Sequence, residues 1–157
     1  AQDTEDFDFY YNEGVKNYDI DNFETALEFF VKALEIEPNH VDTNYKIGNT
    51  FSFLGNPYYA IQFLLRTTEL DSSHFKAHFN TAAVAYEILE FELSIEYYIK
   101  CLPMNESRDL VNYGLAASYY AIGDYNTSKK YNDLALEINS NLYDAKTLKT
   151  MLARNNT

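Results

Sequence analysis

The sequence predicts an all-α solenoid of antiparallel helix pairs. Three observations carry that fold class. One pattern recurs every 34 residues, beginning at Phe7, Val41, Phe75 and Asp109; two places in each copy hold small residues; and short clusters of Gly, Asn, Asp, Ser or Pro punctuate the copies. A period of this length marks stacked helical units, each too small to bury its apolar face alone.

Taken in order, residues 1–6 (Ala-Gln-Asp-Thr-Glu-Asp) are polar and acidic without apolar periodicity, so a short loose lead-in is expected. The first unit, 7–40, reads as helix, turn at Asp19-Ile20-Asp21-Asn22, helix, and a link at Pro38-Asn39. The second, 41–74, turns at Gly55-Asn56-Pro57 and ends at Asp71-Ser72-Ser73. Pro57 is tolerated there because a proline in the first turn of a helix loses no intrahelical hydrogen bond. The third, 75–108, turns at Leu89-Glu90 and ends at Asn105-Glu106-Ser107, with Pro103 shortening or bending its second helix. The fourth, 109–142, turns at Gly123-Asp124 and ends at Asn139-Ser140-Asn141. In these turns Gly, Asn and Asp supply the backbone geometry and the helix caps.

Leu142, Ala145, Leu148 and Leu152 then share one face of a further helix, about 141–154, with Asp144 near its start and Lys149 and Arg154 near its end, as the helix dipole favours. This helix is expected to cap the last apolar face, the other reading being a homodimer through the same helix. Arg154-Asn155-Asn156-Thr157 is expected to fray. No linker long enough to separate two domains occurs, so 7–157 reads as a single domain.

The units align residue by residue. Their eighth places are Gly14, Gly48, Ala82 and Ala116, and their twentieth are Ala26, Ala60, Ser94 and Ser128. Large residues recur around these, with Phe23, Phe91 and Tyr125 three places before a small residue and Phe30, Leu64 and Tyr98 four places after one. Small against large is how two helices pack closely. Together with the runs Tyr119-x3-Gly123-Asp124-Tyr125 and Asp21-Asn22-Phe23-x2-Ala26-Leu27-x2-Phe30-x2-Ala33-Leu34-x3-Pro38, this pattern resembles the tetratricopeptide repeat (TPR) family over about residues 7–140. The chain departs from the family at Tyr10, Asn44, His78 and Asn112, where a Trp or other bulky residue is usual, and only Pro38 keeps the proline that closes a unit.

Composition narrows the function classes. Apolar residues make up 46% of the chain and aromatic residues 17%, enough for a continuous core and too much for a disordered chain. The net charge of -12 is uneven, with -10 over residues 1–75 and -2 over 76–157. Such acidity argues against nucleic acid and anionic membrane surfaces, which bind clustered Lys and Arg, and leaves a neutral or basic protein partner. Apolar runs are broken within a few residues, so no direct membrane insertion is expected. The single cysteine, Cys101, takes the place of Ala33 and Ala135 and reads as a buried small residue. The chain starts at Ala1 rather than Met, and Ala-Gln suits a trimmed, exported protein over a cytoplasmic one.

Catalytic chemistry finds little to stand on. His74 and His78 lie four apart near Asp71, but His40 and His74 are themselves 34 apart, which repeat inheritance explains without a metal. No phosphate-binding glycine loop, nucleophile elbow or paired cysteine motif occurs, and no convergent acid-base set can be assembled, so neither catalytic residues nor a cofactor is expected. Asn105-Glu-Ser and Asn126-Thr-Ser match the glycosylation acceptor pattern at a level expected by chance.

The resemblance implies a right-handed superhelix whose first helices line a concave groove for partner peptides. On this sequence it places Tyr11, Tyr45, Phe79 and Tyr113 at one place per unit, with Tyr18, Tyr86 and Tyr120 further along each helix. Asn12, Asn49 and Asn80 would supply amides, Lys46 and Lys76 cations, and Asp8, Asp19, Asp42 and Glu87 anions. Aromatic faces grip apolar or proline-rich segments at low entropic cost, while amides fix an extended backbone. TPR proteins that clamp the acidic tails of heat-shock chaperones use Lys and Asn in the first unit, Asn in the second and Lys with Arg in the third; the matching places here are Tyr11, Val15, Lys46, Lys76 and Asn80, and only Lys76 agrees, so that function is disfavoured. The expected function is an adaptor or assembly factor. The alternatives are a structural subunit of a larger complex, working through Tyr58, Tyr59, Tyr97 or Tyr131, and a regulatory region of a larger enzyme.

Overall fold

The computed structural model describes residues 2–155. Among them it contains nine α-helices and no strand: α1 (Gln2–Asp19), α2 (Phe23–Ile36), α3 (Val41–Phe53), α4 (Pro57–Leu70), α5 (Phe75–Glu87), α6 (Phe91–Cys101), α7 (Arg108–Ala121), α8 (Tyr125–Ile138) and α9 (Tyr143–Asn155), with a 3-10 turn at Leu102–Met104. The residues expected to make a single domain fall into two compact units, one up to Ala77 and the other from His78 onward.

Three-residue turns join the paired helices, and one backbone device closes each of them. Asp21, Gly55, Leu89 and Gly123, spaced 34 apart, adopt φ of 60, 75, 66 and 85°. At the first, the Asn22 N–H donates to the Asn17 carbonyl at 2.9 Å and the Asp21 N–H to the Tyr18 carbonyl at 3.1 Å. The same two bonds recur at Gly55, Leu89 and Gly123. This is the Schellman closure, in which one left-handed residue lets the chain satisfy the last carbonyls of a helix and reverse. The next residue opens the partner helix. At α8 the Asp124 carboxylate accepts the Thr127 N–H at 3.1 Å, and hydrogen bonds from Thr127 hold that carboxyl below the usual carboxylate range.

Close approach of the paired helices rests on the small residues. A Cβ on Gly14 would stand 2.5 Å from the Phe30 ring, and one on Gly48 would stand 2.9 Å from Leu64 Cγ. Phe30 and Leu64 are fully buried as a result. In the compact unit from His78 onward the small residues also carry hydroxyls: Ser128 Oγ donates to the Ala116 carbonyl at 2.7 Å, and Ser94 and Ser118 lie 3.0 Å apart. At three of the four places that the family fills with a bulky residue this chain has a buried polar one, and at the fourth the partly buried Tyr10. Asn44 Nδ2 donates to the carbonyls of Pro38 and His40, Asn112 Nδ2 to that of Arg108, and the His78 ring lies 5.6 Å from that of Tyr97. The Asn44 amide ties α3 to the chain that leads into it, and the Asn112 amide holds the first turn of α7.

Several expectations need correction. Residues 2–6 are not a loose lead-in but the start of α1, with Asp3 and Glu5 in its first turn, where the positive end of the helix dipole favours carboxylates. The expected fraying of Arg154-Asn155-Asn156-Thr157 does not reach Arg154 and Asn155, which stay in α9; Asn156 and Thr157 lie outside the described residues. Pro103 acts as anticipated: α6 stops at Cys101 after 11 residues, where α2, α4 and α8 run for 14. Leu148 and Leu152 of α9 pack with Ala116, Tyr113, Tyr120 and Tyr131, so α9 covers the apolar face of α7 and α8 within its own unit. Cys101 is fully buried, and that burial is the main reason its thiol is pushed up to about 12.

Leu89 is the one aliphatic residue among the four left-handed positions, and it is 71% exposed. The left-handed strain of a side chain, roughly 1–2 kcal/mol, exceeds the extra chain entropy of glycine, so Leu89→Gly should raise stability by about 0.5–1 kcal/mol. Gly123→Leu should lower it by roughly 1–2 kcal/mol. Urea midpoints that move in these opposite directions would support the assignment; no shift at Leu89 would refute it.

Candidate functional site

The side chains expected to bind a partner all lie on first helices, and the described structure leaves every one of them at least partly exposed. In the compact unit up to Ala77, several are engaged by their neighbours. The Tyr11 hydroxyl of α1 donates to the Asp42 carboxylate of α3, and its ring lies 5.3 Å from that of His40. Burial first, and then Asp42, raises the Tyr11 phenol above its ordinary value. Lys46 Nζ sits 4.6 Å from the Tyr18 ring centroid, and the Asn49 side chain hydrogen-bonds the Tyr18 phenol. Tyr45 places its ring 4.7 Å from that of His74. Asn12 and Lys76 are exposed.

The histidines of this unit are caps. His40 Nδ1 accepts the Thr43 N–H at 3.2 Å, and His74 Nδ1 accepts the Ala77 N–H at 3.1 Å, so each imidazole closes the start of a first helix. Together with Glu37, Asn39 and Asp42 they border a broad depression of about 710 Å³. Among the described residues, no three His, Cys, Asp or Glu side chains come together as a metal site.

The compact unit from His78 onward brings three of the expected residues into one cavity. Phe79 and Tyr86 of α5 and Tyr113 of α7 line about 280 Å³, completed by Ala83, Tyr98, Leu110, Gly114, Ala117 and Asp144. Tyr98 of α6 packs edge-on to Phe79 at 5.5 Å and is 7% exposed. Burial raises the phenols of Tyr98 and Tyr113, with the Asp144 carboxylate next in effect on Tyr113. Asn80 is partly exposed and does not line the cavity. Tyr120 is drawn away from it, since its hydroxyl accepts Asn155 Nδ2 at 2.9 Å and its ring packs 5.1 Å from Tyr125.

Sequence reasoning passed over Gly114, Leu110 and Asp144. Gly114 holds the place of Asn12, Lys46 and Asn80 in the other units, and a Cβ there would stand 2.4 Å from Tyr98 Cζ. The signal was present as a missing side chain where three units have a polar one. Of the residues suggested for a convex contact, Tyr58 and Tyr59 are 68% and 56% exposed. Tyr97 lies under Lys100 Nζ at 4.1 Å, and Tyr131 stacks on Tyr119 at 5.7 Å.

Comparison with known proteins agrees with this anatomy. The tetratricopeptide repeat model matches residues 7–40, and the Fis1 C-terminal tetratricopeptide repeat model matches residues 108–155. This chain belongs to the tetratricopeptide repeat family. Among solved structures, a MamA protein shares 22% identity over 96% of this TPR chain and 88% of its own, with a TM-score of 0.85. MamA from Desulfovibrio magneticus RS-1 shares 18% over 96% and 86%, with a TM-score of 0.89. YrrB, described as a TPR protein with an unusual peptide-binding site, shares 19% over 90% and 73%, with a TM-score of 0.84. No curated protein matches the TPR chain significantly in sequence. No described helix is long and apolar enough to cross a membrane.

The raised phenols of this TPR protein give a pH signature. A phenol whose folded pKa lies above its unfolded value of 10.0 contributes stability that is complete below pH 10 and lost as pH rises through the folded value. Ultraviolet titration of the native protein should therefore show tyrosines ionising later than in urea, with stability declining over the same alkaline range. Identical native and denatured titrations would contradict the burial of Tyr98 and Tyr11.

Proposed function

We propose that this TPR protein is a non-catalytic adaptor or assembly factor that binds a peptide, or a helix or loop of a protein partner, on the first-helix faces of its repeats. The convergence of Phe79, Tyr86 and Tyr113 on a cavity open to solvent carries this reading. It is supported by the half-exposed tyrosines at matching places of α1 and α3, and by the peptide-binding site ascribed to YrrB. Rigid aromatic rings give contact area at little entropic cost, and the affinity would concentrate on a few of them. The net charge of -12 favours a neutral or basic partner over nucleic acid.

The exposed Tyr58 and Tyr59 support a second reading, in which the chain is a structural subunit that docks through α4. The two readings separate cleanly. Affinity capture from native cells with Tyr45→Ala combined with Phe79→Ala should lose the partner at least about tenfold, as expected of aromatic hot spots, while circular dichroism shows unchanged helical content. A partner retained by that variant and lost from Tyr58→Ala with Tyr59→Ala would establish the α4 surface instead.

A further inference from the structure

We propose that the cavity formed by α5, α6, α7 and α9 is a socket for one basic side chain, an arginine or lysine on the partner segment; this rests on first-helix binding and names its anchor. The cavity's volume of about 280 Å³ lies at the lower edge of ligand pockets, which run from roughly 300 Å³ upward, so it suits a side chain rather than a cofactor. Four of its lining residues are aromatic, namely Phe79, Tyr86, Tyr98 and Tyr113. Aromatic faces are the negative ends of ring quadrupoles and attract a cation held within about 6 Å.

The charges select among occupants. Asp144, in the first turn of α9, is the one charged residue among those lining the cavity. It is exposed, makes no ion pair among the described residues, and lies near enough to Tyr113 to raise that phenol. An acidic side chain would meet both the carboxylate and the ring faces unfavourably. A neutral aliphatic chain would fill the walls but take water from Asp144 without replacing it. An arginine or lysine lays its methylene stem along Leu110 and Ala83 and brings its cation to the rings and to Asp144. Gly114, at the place where other repeats carry Asn or Lys, lets the Tyr98 ring pack against α7 and form one wall of the socket.

The test is amide NMR of the labelled full chain titrated with the N-acetyl methylamides of arginine, lysine, norleucine and glutamate. Arginine and lysine should shift the amides of Gly114, Ala117 and Asp144 saturably and bind about three- to tenfold tighter than norleucine, with glutamate weakest. Asp144→Asn should remove most of that preference while leaving norleucine unchanged, and Ala83→Leu, from an exposed position of α5, should block all four. Norleucine binding as tightly as arginine, a preference that survives Asp144→Asn, or no saturable shift at these amides would each overturn the proposal. Loss of partner capture by Tyr45→Ala alone, together with no cation preference, would sink the socket and leave the adaptor reading standing. Arginine binding by a protein whose partner tolerates Tyr45→Ala and Phe79→Ala would overturn the adaptor reading and, with it, the socket's role as the partner's anchor.

Discussion

The close approach of two antiparallel helices, with a small residue on one and a large side chain on the other, is the constraint from which the rest of this structure follows. Gly14 receives Phe30 and Gly48 receives Leu64 at distances that leave no room for a Cβ. A fully buried ring or leucine contributes roughly 1.5–3 kcal/mol, and that gain depends on the partner residue staying small. The helices must therefore reverse tightly, and the four left-handed turn residues are the means. Each turn is three residues long, so it admits one register between its helices.

Polar side chains complete the packing where apolar ones cannot. From buried positions Asn44 donates to the carbonyls of Pro38 and His40 at the entry to α3, and Asn112 donates to that of Arg108 in the first turn of α7. Ser118 and Ser128 send their hydroxyls to the carbonyls of Gly114 and Ala116. The substitution of amides for the usual bulky residue thus exchanges volume for hydrogen bonds.

The same close packing decides where a partner can find purchase. In the first compact unit, up to Ala77, the first-helix tyrosines meet Asp42, Lys46, Asn49 and the capping histidines, so much of their surface is shared with neighbours. In the second, Gly114 admits the Tyr98 ring, one wall of an aromatic cavity that also carries the Asp144 carboxylate. One repeated place in the sequence thus yields a covered surface in one unit and a recess in the other.

Period, small-residue register and turn chemistry were legible in the sequence because they are local and repeated: helix pairing, the reversals at Asp21, Gly55, Leu89 and Gly123, the shortening at Pro103 and the inert burial of Cys101 all follow from near neighbours. The acidic start was misjudged because only the folded chain shows those carboxylates at the positive end of α1. The candidate site was half legible. Its aromatics stood at regular places, but whether Tyr113 or Tyr120 faces a cavity depends on Asn155, Gly114 and Asp144, which come from α7 and α9. Such contacts between residues distant in sequence exist only once the helices have packed, so tertiary structure alone decided which tyrosines are spent on neighbours and which line a recess.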